Sequence, residues 1–472
     1  MFATAAEALK YIADHDIAMV DLKVAGIGGQ WLHITIPAAA FTAAHFEDGI
    51  GYDGSSGSGF SSVESGDVAA RPEAQTAFFD PFCKEPTISF LCETIAADTK
   101  EPFASDPRTI ARRAVQYMRG TAIADEAWMA PEFEFHVFDR VALKEAPYET
   151  YVFIQSAEVD PDGSAPAIPR KGGYLRVPPA DQLQDVRSEI VTTLAKMGVP
   201  VSYHHHEVGA PGQCEIEVPL DHLLRAADRT MLIKYVIKNI ARRHDKIATF
   251  MPKPVFGEAG NGMHVHQRLT QNGAPLFYDS SGNNYALLSD LALRYIGGLL
   301  LHGRALTGLT NPSTNSFKRL VEGHEAPVNL FFSLANRSAA IRVPRYAVSP
   351  DEKRMEYRPP DGTANIYLML AAMLMAGLDG IEQKIDPAAH DFGPFDVDIA
   401  REEKAFREKI VALPRTLPDA LTALEGDYAF LCKGDVFPES FIRGWIAEKR
   451  ARDCAEVSAR PHPHEYHLYL DA

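Results

Sequence analysis

Cysteine is scarce in this 472-residue chain: Cys83, Cys92, Cys214, Cys432 and Cys454 are an odd five, with no C-x-x-C pair among them. That spacing indicates neither a disulfide framework nor a thiolate zinc site, and it fits a reducing, cytoplasmic location. Long apolar runs are also missing. The most apolar stretch, IYLMLAAMLMAGL at 366–378, falls short of the roughly 20 residues needed to cross a bilayer, so a buried helix is expected there. The N-terminal residues lack a basic segment followed by an apolar one, so no signal peptide is expected. Positive charge is in deficit, 47 Lys and Arg against 63 Asp and Glu, leaving −16. Such a field repels nucleic-acid phosphate and anionic lipid, and neither is expected as a partner. The patterns G-x-x-x-x-G-K-[ST] and H-E-x-x-H are both absent, which removes a P-loop and a zinc-protease helix from consideration.

What is present is an ordinary globular balance, 46% hydrophobic and 23% charged, in a length that predicts two or three domains. A short helix is expected over 3–14. Strands are expected over 18–24, 31–36, 76–82 and 87–93, with Gly26-Ile27-Gly28-Gly29 as a turn between the first two. This small mixed sheet ends at Asp106-Pro107, where Asp as N-cap and Pro at the first helical position open the helix TIARRAVQYMRG. The domain boundary is therefore placed near 105, giving 1–105 and 106–472. Beyond it helices and strands alternate, as in a large α/β or α+β domain. Leu183, Val186, Ile190, Leu194 and Met197 recur at helical spacing and Gly198 supplies the stop. VPVSYHHHEV reads as a strand, residues 223–243 as a second long helix, and 158–173, 251–262 and 343–362 as long Pro/Gly-rich loops of the kind that carry function.

Four segments place acids or imidazoles on one face of a strand, because side chains alternate with a period of two. Glu132 and Glu134 pair in PEFEF; His205 and Glu207 pair in HHHE; Glu215 pairs with Glu217; His264 pairs with His266 in GMHVH. Several carboxylates with few imidazoles and no thiolates form the ligand set of a hard divalent cation, Mg²⁺ or Mn²⁺. A basic set follows: Lys318, Arg319, Arg337, Arg342, Arg354 and Arg358. Guanidinium forks match carboxylate and phosphate oxygens, so this set suits a phosphorylated or carboxylate-bearing ligand. The Gly/Ser-rich loop at 51–59 carries one acid, Asp53.

With these residues in view, the chain resembles the type I glutamine synthetase family. The matching segments are YDGSS (52–56), PEFEF (131–135), KGGYLRVPP (171–179), HHHEVGAPGQCE (204–215), KPVFGEAGNGMHVH (253–266), NPSTNSFKRLVEGHEAP (311–327), NRSAAIRVP (336–344) and KRMEYRPPD (353–361), in family order. The resemblance implies an α+β chain: a small β-grasp-like N-terminal domain, and a large C-terminal catalytic α/β domain on a curved, largely antiparallel sheet. It also implies a dodecamer of two hexameric rings with active sites between neighbouring subunits. The reaction implied joins ammonia to the γ-carboxylate of L-glutamate through γ-glutamyl phosphate, with ATP giving ADP and phosphate. Two divalent cations, Mg²⁺ or Mn²⁺, are implied per site, one held by Glu134, Glu207 and Glu215 and the other by Glu132, His264 and Glu356. Arg337 and Arg358 correspond to phosphate clamps, Arg342, Arg354, His205 and His266 to the nucleotide side, and Arg319 with the Gly260 backbone to the glutamate site. Asp53, Ser56 and Tyr174 correspond to an ammonium pocket, and Glu325 to a flap that takes the last proton.

Some positions depart from the family pattern. Ala259 stands where Asn is usual, Ser202 for Glu, Arg268 for Ser, Asp351 for Lys, and Glu322 and His324 for Pro and Tyr. Ala400 aligns with the modified Tyr, so adenylylation there is not expected. The runner-up reading is a γ-glutamyl ligase that uses an organic amine such as a polyamine, ethanolamine or methylamine.

Overall fold

The computed structural model describes residues 2–57, 66–323, 326–397 and 399–472. The first part is a six-stranded sheet of β1 (Met19–Ala25), β2 (Trp31–Pro37), β3 (Ile50–Asp53), β4 (Asp67–Pro72), β5 (Phe78–Phe79) and β6 (Thr87–Ala96), in the order β2-β1-β6-β4-β3 with β5 also on β6. β1 and β6 run parallel and the other pairs antiparallel. β6 is buried along nearly its whole length, as its continuous run TISFLCETIA suits for a central strand, whereas β2 alternates inward and outward. The helix Ala5–Asp14, N-capped by the Thr4 hydroxyl, lays Ala8 and Ile12 on Val20, Leu22, Ile88 and Phe90. The stretch 76–82 forms only the two-residue β5, because Asp80 turns back to accept the Phe82 N–H and Pro81 has no N–H to give.

Asp106 caps the helix Pro107–Gly120 by accepting the Thr109 N–H. The chain continues through β7 (Glu126–Pro131), β8 (Phe133–Phe138), the exposed hairpin β9 (Arg140–Ala146) and β10 (Glu149–Gln155), then β11 (Tyr203–His206), β12 (Gln213–Glu217), β13 (Asp221–His222), β14 (Ile247–Thr249), β15 (Val265–Gln271), β16 (Ala274–Pro275), β17 (Asn329–Leu334), β18 (Ala339–Val343) and β19 (Met355–Tyr357). These build two sheets besides the hairpin, β11-β12-β8-β14 and β13-β7-β15-β19-β18-β17, antiparallel at every pair except β17 with β18. β7 and β8 are consecutive yet belong to different sheets, and Glu132 is the single residue between them. The amphipathic helix Gln184–Lys196 and the helix Leu223–Arg243 occupy the expected positions, and Gly198 follows the first with φ +76°. Ile366–Glu382 is a helix buried at every residue from Ile366 to Gly380. It meets the helix Asp290–Leu301 where Gly298 faces Gly380; a Cβ on Gly298 would lie 2.1 Å from the Ala376 carbonyl. The loop expected over 343–362 contains the strand β19. Among the described residues, no helix is long and apolar enough to cross a membrane.

Candidate active site

Three functional side chains line up across one sheet. The register of β11, β12 and β8 sets His205 opposite Glu215 and Glu215 opposite Glu134, so all three project from the same face. His205 Nε2 stands 3.4 Å from a Glu215 oxygen. The neighbouring residues point the other way, as the period of two requires. His206 is fully buried with Nε2 3.0 Å from Glu158, and His204 Nδ1 receives Arg187 Nε at 3.3 Å.

The second wall comes from the larger sheet. β15 sets His266 opposite Glu356 on β19, and β18 sets Arg342 opposite the same glutamate. Glu132, at the junction between the sheets, receives both histidines: His264 Nδ1 at 2.7 Å and His266 Nε2 at 2.9 Å. His264 Nδ1 also lies 3.6 Å from Glu356 and 3.8 Å from Glu134. Ligand atoms of Glu132, His266 and Glu356 fall within 4.8 Å of one another, as do those of His205, Glu207 and Glu215, and of Glu132, Glu215 and Glu217. The first two groupings differ by one member each from the two ligand sets implied by resemblance, and the third takes one acid from each set and adds Glu217. Glu134 turns one oxygen to the Gly262 N–H at 2.7 Å, and His264, with Nδ1 toward Glu132, presents Nε2 to Arg319 at 3.2 Å.

Burial raises the carboxyl pKa of Glu215 well above the usual range, reinforced by the charges of Glu132 and Glu134; Glu217 is raised by burial and by Glu132. Glu132 is held well below that range: burial opposes, but hydrogen bonds from His264 and His266 prevail. Glu356 is also lowered: burial opposes, but the charges of Arg358, His266 and Arg342 together prevail. Crowded, nearly dry carboxylates of this kind fit a divalent cation, whose charge relieves the repulsion.

The arginines face this acidic wall. Arg319, Arg337, Arg342 and Arg358 line the same cavity of about 560 Å³ as Glu132, Glu134, Glu207, Glu215, His264 and Glu356. Arg342 and Arg358 both pair with Glu356, and Arg358 Nε donates to the Arg337 carbonyl at 3.1 Å. Arg319 is 3% exposed and donates to the Pro359 carbonyl at 2.8 Å; burial lowers its pKa. Arg354 is not on the cavity wall. It precedes β19 and places its guanidinium 5.3 Å over the Tyr346 ring. His266 likewise sits behind Glu132, off the wall.

Tyr174 and the Gly260 backbone line the cavity, the Tyr174 ring standing edge-on to His205 at 5.5 Å. Asp53 does not. It ends β3 in the N-terminal sheet, where Oδ1 accepts the Ser55 N–H at 2.9 Å and the Ser55 hydroxyl at 2.6 Å. The Ser56 side chain and all of Glu325 lie outside the described residues. Sequence reasoning pairs Glu217 with Glu215 but gives Tyr203 and Gln213 no role, although all three line the cavity. The same period of two reaches both, since Tyr203 is two residues from His205 and Gln213 two from Glu215.

The comparisons agree with this geometry. The family model for the glutamine synthetase catalytic domain matches residues 104–469, and that for the glutamine synthetase beta-grasp domain matches 16–97. Glutamine synthetase of Frankia alni is 45% identical over 479 residues, covering 100% of both chains, and that of Aquifex aeolicus 44% identical, covering 99% of both. Among solved structures, Plasmodium falciparum glutamine synthetase superposes with TM-score 0.88 at 26% identity over 99% of both chains. A GmaS/ADP complex superposes with TM-score 0.80 at 27% identity, over 98% of this chain and 99% of that one. The chain belongs to the glutamine synthetase family.

Proposed function

We propose that this protein is a glutamine synthetase, joining ammonia to the γ-carboxylate of L-glutamate with ATP as the phosphoryl donor. The observation that carries the reading is one cavity with an acidic wall of Glu132, Glu134, Glu207, Glu215, His264 and Glu356 facing Arg319, Arg337, Arg342 and Arg358. Glutamate and ATP both bring negative charge to the place where they react; the arginines oppose it directly, and the acidic wall would do so through the divalent cations it holds. The γ-phosphoryl group passes to a γ-carboxylate oxygen, ADP leaves, ammonia attacks the acyl carbon, and phosphate departs.

Two divalent cations, Mg²⁺ or Mn²⁺, held by the six acidic-wall residues with His205, His266 and Glu217 beside them, would supply the charge neutralisation that phosphoryl transfer requires. Arg337 and Arg358 clamp the transferring phosphoryl group, and Arg342 and His205 face the nucleotide phosphates. Arg319 and the Gly260 backbone hold glutamate. Tyr174 borders the ammonium pocket, whose Asp53 and Ser56 come from a neighbouring subunit, which is why Asp53 stands apart from the cavity of its own chain. Asp53 draws in NH₄⁺ and takes its proton. Glu325 belongs to the flap that excludes water from the acyl phosphate and takes the last proton. The working assembly is a cytoplasmic dodecamer of chains divided near residue 105.

The test is ADP release by the purified protein with Mg²⁺ and glutamate, comparing ammonium with methylamine, ethanolamine and a polyamine over a concentration series. The expected result is the highest kcat/KM for ammonium. A higher value for an organic amine would move the reaction to γ-glutamyl-amine ligation, the reading next in line, with the phosphoryl-transfer machinery unchanged.

A further inference from the structure

The cavity segment Gly260–Gly262 is tied to the interior by a buried chain of amides. Gln213, fully buried, donates from Nε2 to the Gly260 carbonyl at 3.0 Å and to Asn261 Oδ1 at 3.1 Å, while its Oε1 accepts the Gly209 N–H at 2.6 Å. Asn261 Oδ1 lies 2.9 Å from Nδ1 of the fully buried His136. An amide oxygen only accepts, so His136 carries its proton on Nδ1. Asn261 in turn donates from Nδ2 to the Met251 carbonyl and from its backbone N–H to the Pro252 carbonyl, each at 2.8 Å.

Both groups of the Gly260–Asn261 peptide are therefore committed, the carbonyl to Gln213 and the N–H to Pro252. The next N–H, of Gly262, goes to the Glu134 carboxylate at 2.7 Å. A Cβ at Gly260 would come within 2.4 Å of the Pro252 carbonyl, which excludes a side chain there, and one at Gly262 would come within 2.5 Å of Arg319 Nη2 and displace that guanidinium. One side-chain amide thus sets the plane of the peptide that leads from Gly260 on the cavity wall to the glycine that holds Glu134.

We propose that Gln213 is a positioning residue for the amino-acid substrate, acting through the Gly260 carbonyl and the Asn261–His136 pair. The proposal rests on the reading that the Gly260 backbone holds glutamate. The arginines assigned to phosphate lie on other segments, so losing the Gln213 donor separates the two substrates. Gln213→Glu keeps the side-chain volume and the acceptor for Gly209. It removes both Nε2 donations and sets a carboxylate oxygen against two acceptors. The expected result is a rise of roughly tenfold or more in KM for glutamate, the scale of a buried acceptor losing its donor, with KM for ATP within about twofold. Calorimetric titration of glutamate into the variant should show the same weakening.

An equal rise in both KM values overturns the proposal, as does a lowered Tm with glutamate affinity unchanged. Gln213→Met, uncharged and of similar length, carries the same expectation should the glutamate variant fail to assemble. Wild-type protein without glutamate-dependent ADP release would overturn the glutamine synthetase reading itself. Active wild type with a Gln213→Glu variant of unchanged glutamate affinity would overturn only the role given to Gln213.

Discussion

Buried acids gather in two regions of this chain, and their surroundings are opposite in kind. Where the N-terminal sheet meets the helix Pro107–Gly120, three carboxylates find a guanidinium: Arg108 bridges Glu73 and Asp228 at 2.8 Å each, Arg71 holds Glu93 at 2.8 Å, and Arg112 reaches Glu93 at 2.6 Å and Glu73 as well; the helix cap Asp106 stands apart, raised to about 6 by burial. Burial alone would raise Glu73 and Glu93, yet hydrogen bonds from Arg108 and Arg71, with Arg112, hold both below the usual range. In the cavity, burial and neighbouring carboxylates act together and drive Glu215 and Glu217 upward. What separates them is like charge: in the cavity neighbouring carboxylates crowd Glu215 and Glu217 upward, even though His264, His266 and the arginines hold Glu132 and Glu356 low. Matched charges fasten one part of the chain to another, whereas crowded like charges are kept for a ligand that supplies the missing cation.

The comparison breaks first at Arg108. Arg108→Met keeps the stem but takes the guanidinium from Asp228 and leaves Glu73 to Arg112 alone, and about 3 kcal/mol of stability should be lost. Thermal unfolding would show a lowered Tm, with KM for ATP and glutamate unchanged in whatever fraction folds. Loss of substrate affinity without loss of stability would make the seam part of the site. Glu215→Gln tests the other half. Removing one of several repelling charges should leave Tm equal or higher without divalent cation, while activity falls by more than the ~10–100-fold that outer partners of metal ligands cost. A destabilised variant with normal turnover would show that Glu215 belongs with the structural acids.

The alternation of PEFEF, HHHE and GMHVH was enough to pair the acids and imidazoles by face, and the cap at Asp106 and the stop at Gly198 were equally legible. Local pattern could not show that Glu132 stands between two sheets, because a break between strands leaves the alternation unchanged. Nor could it give the cross-strand row His205–Glu215–Glu134, which depends on how distant segments pair. Arg354 was assigned to the nucleotide side with Arg342, but it lies outside the pleat that aims Arg342 at Glu356. Asp53 is where the sequence offers a role and the single chain does not supply the setting. Asp53→Asn should raise KM for ammonium roughly tenfold and leave KM for glutamate within about twofold; parallel changes in steady-state kinetics would remove Asp53 from the ammonium pocket.

A third cluster sharpens the comparison, because there the matching charge can be switched off. His302 lies between Asp379, 3.0 Å from Nε2, and Asp427, 2.8 Å from Nδ1, with its ring stacked on Phe430 at 4.0 Å. Lys433 completes the group by pairing with Asp379 and Glu382. Burial disfavours the imidazolium, but hydrogen bonds to Asp379 and Asp427 outweigh it and raise the His302 pKa; Asp379 is held at about 2 despite its burial, chiefly by His302 and Lys433. A raised folded pKa means that the stabilisation is complete below the ordinary histidine value of ~6.5 and is lost as pH rises through the raised value. His302→Asn should therefore flatten the fall of Tm between about pH 6 and pH 8 relative to wild type, the smallest of these effects. An undiminished slope in the variant would mean that the neutral ring satisfies both carboxylates equally well, and that charge matching at this cluster is not what holds the helix Ile366–Glu382 to the segment around Asp427.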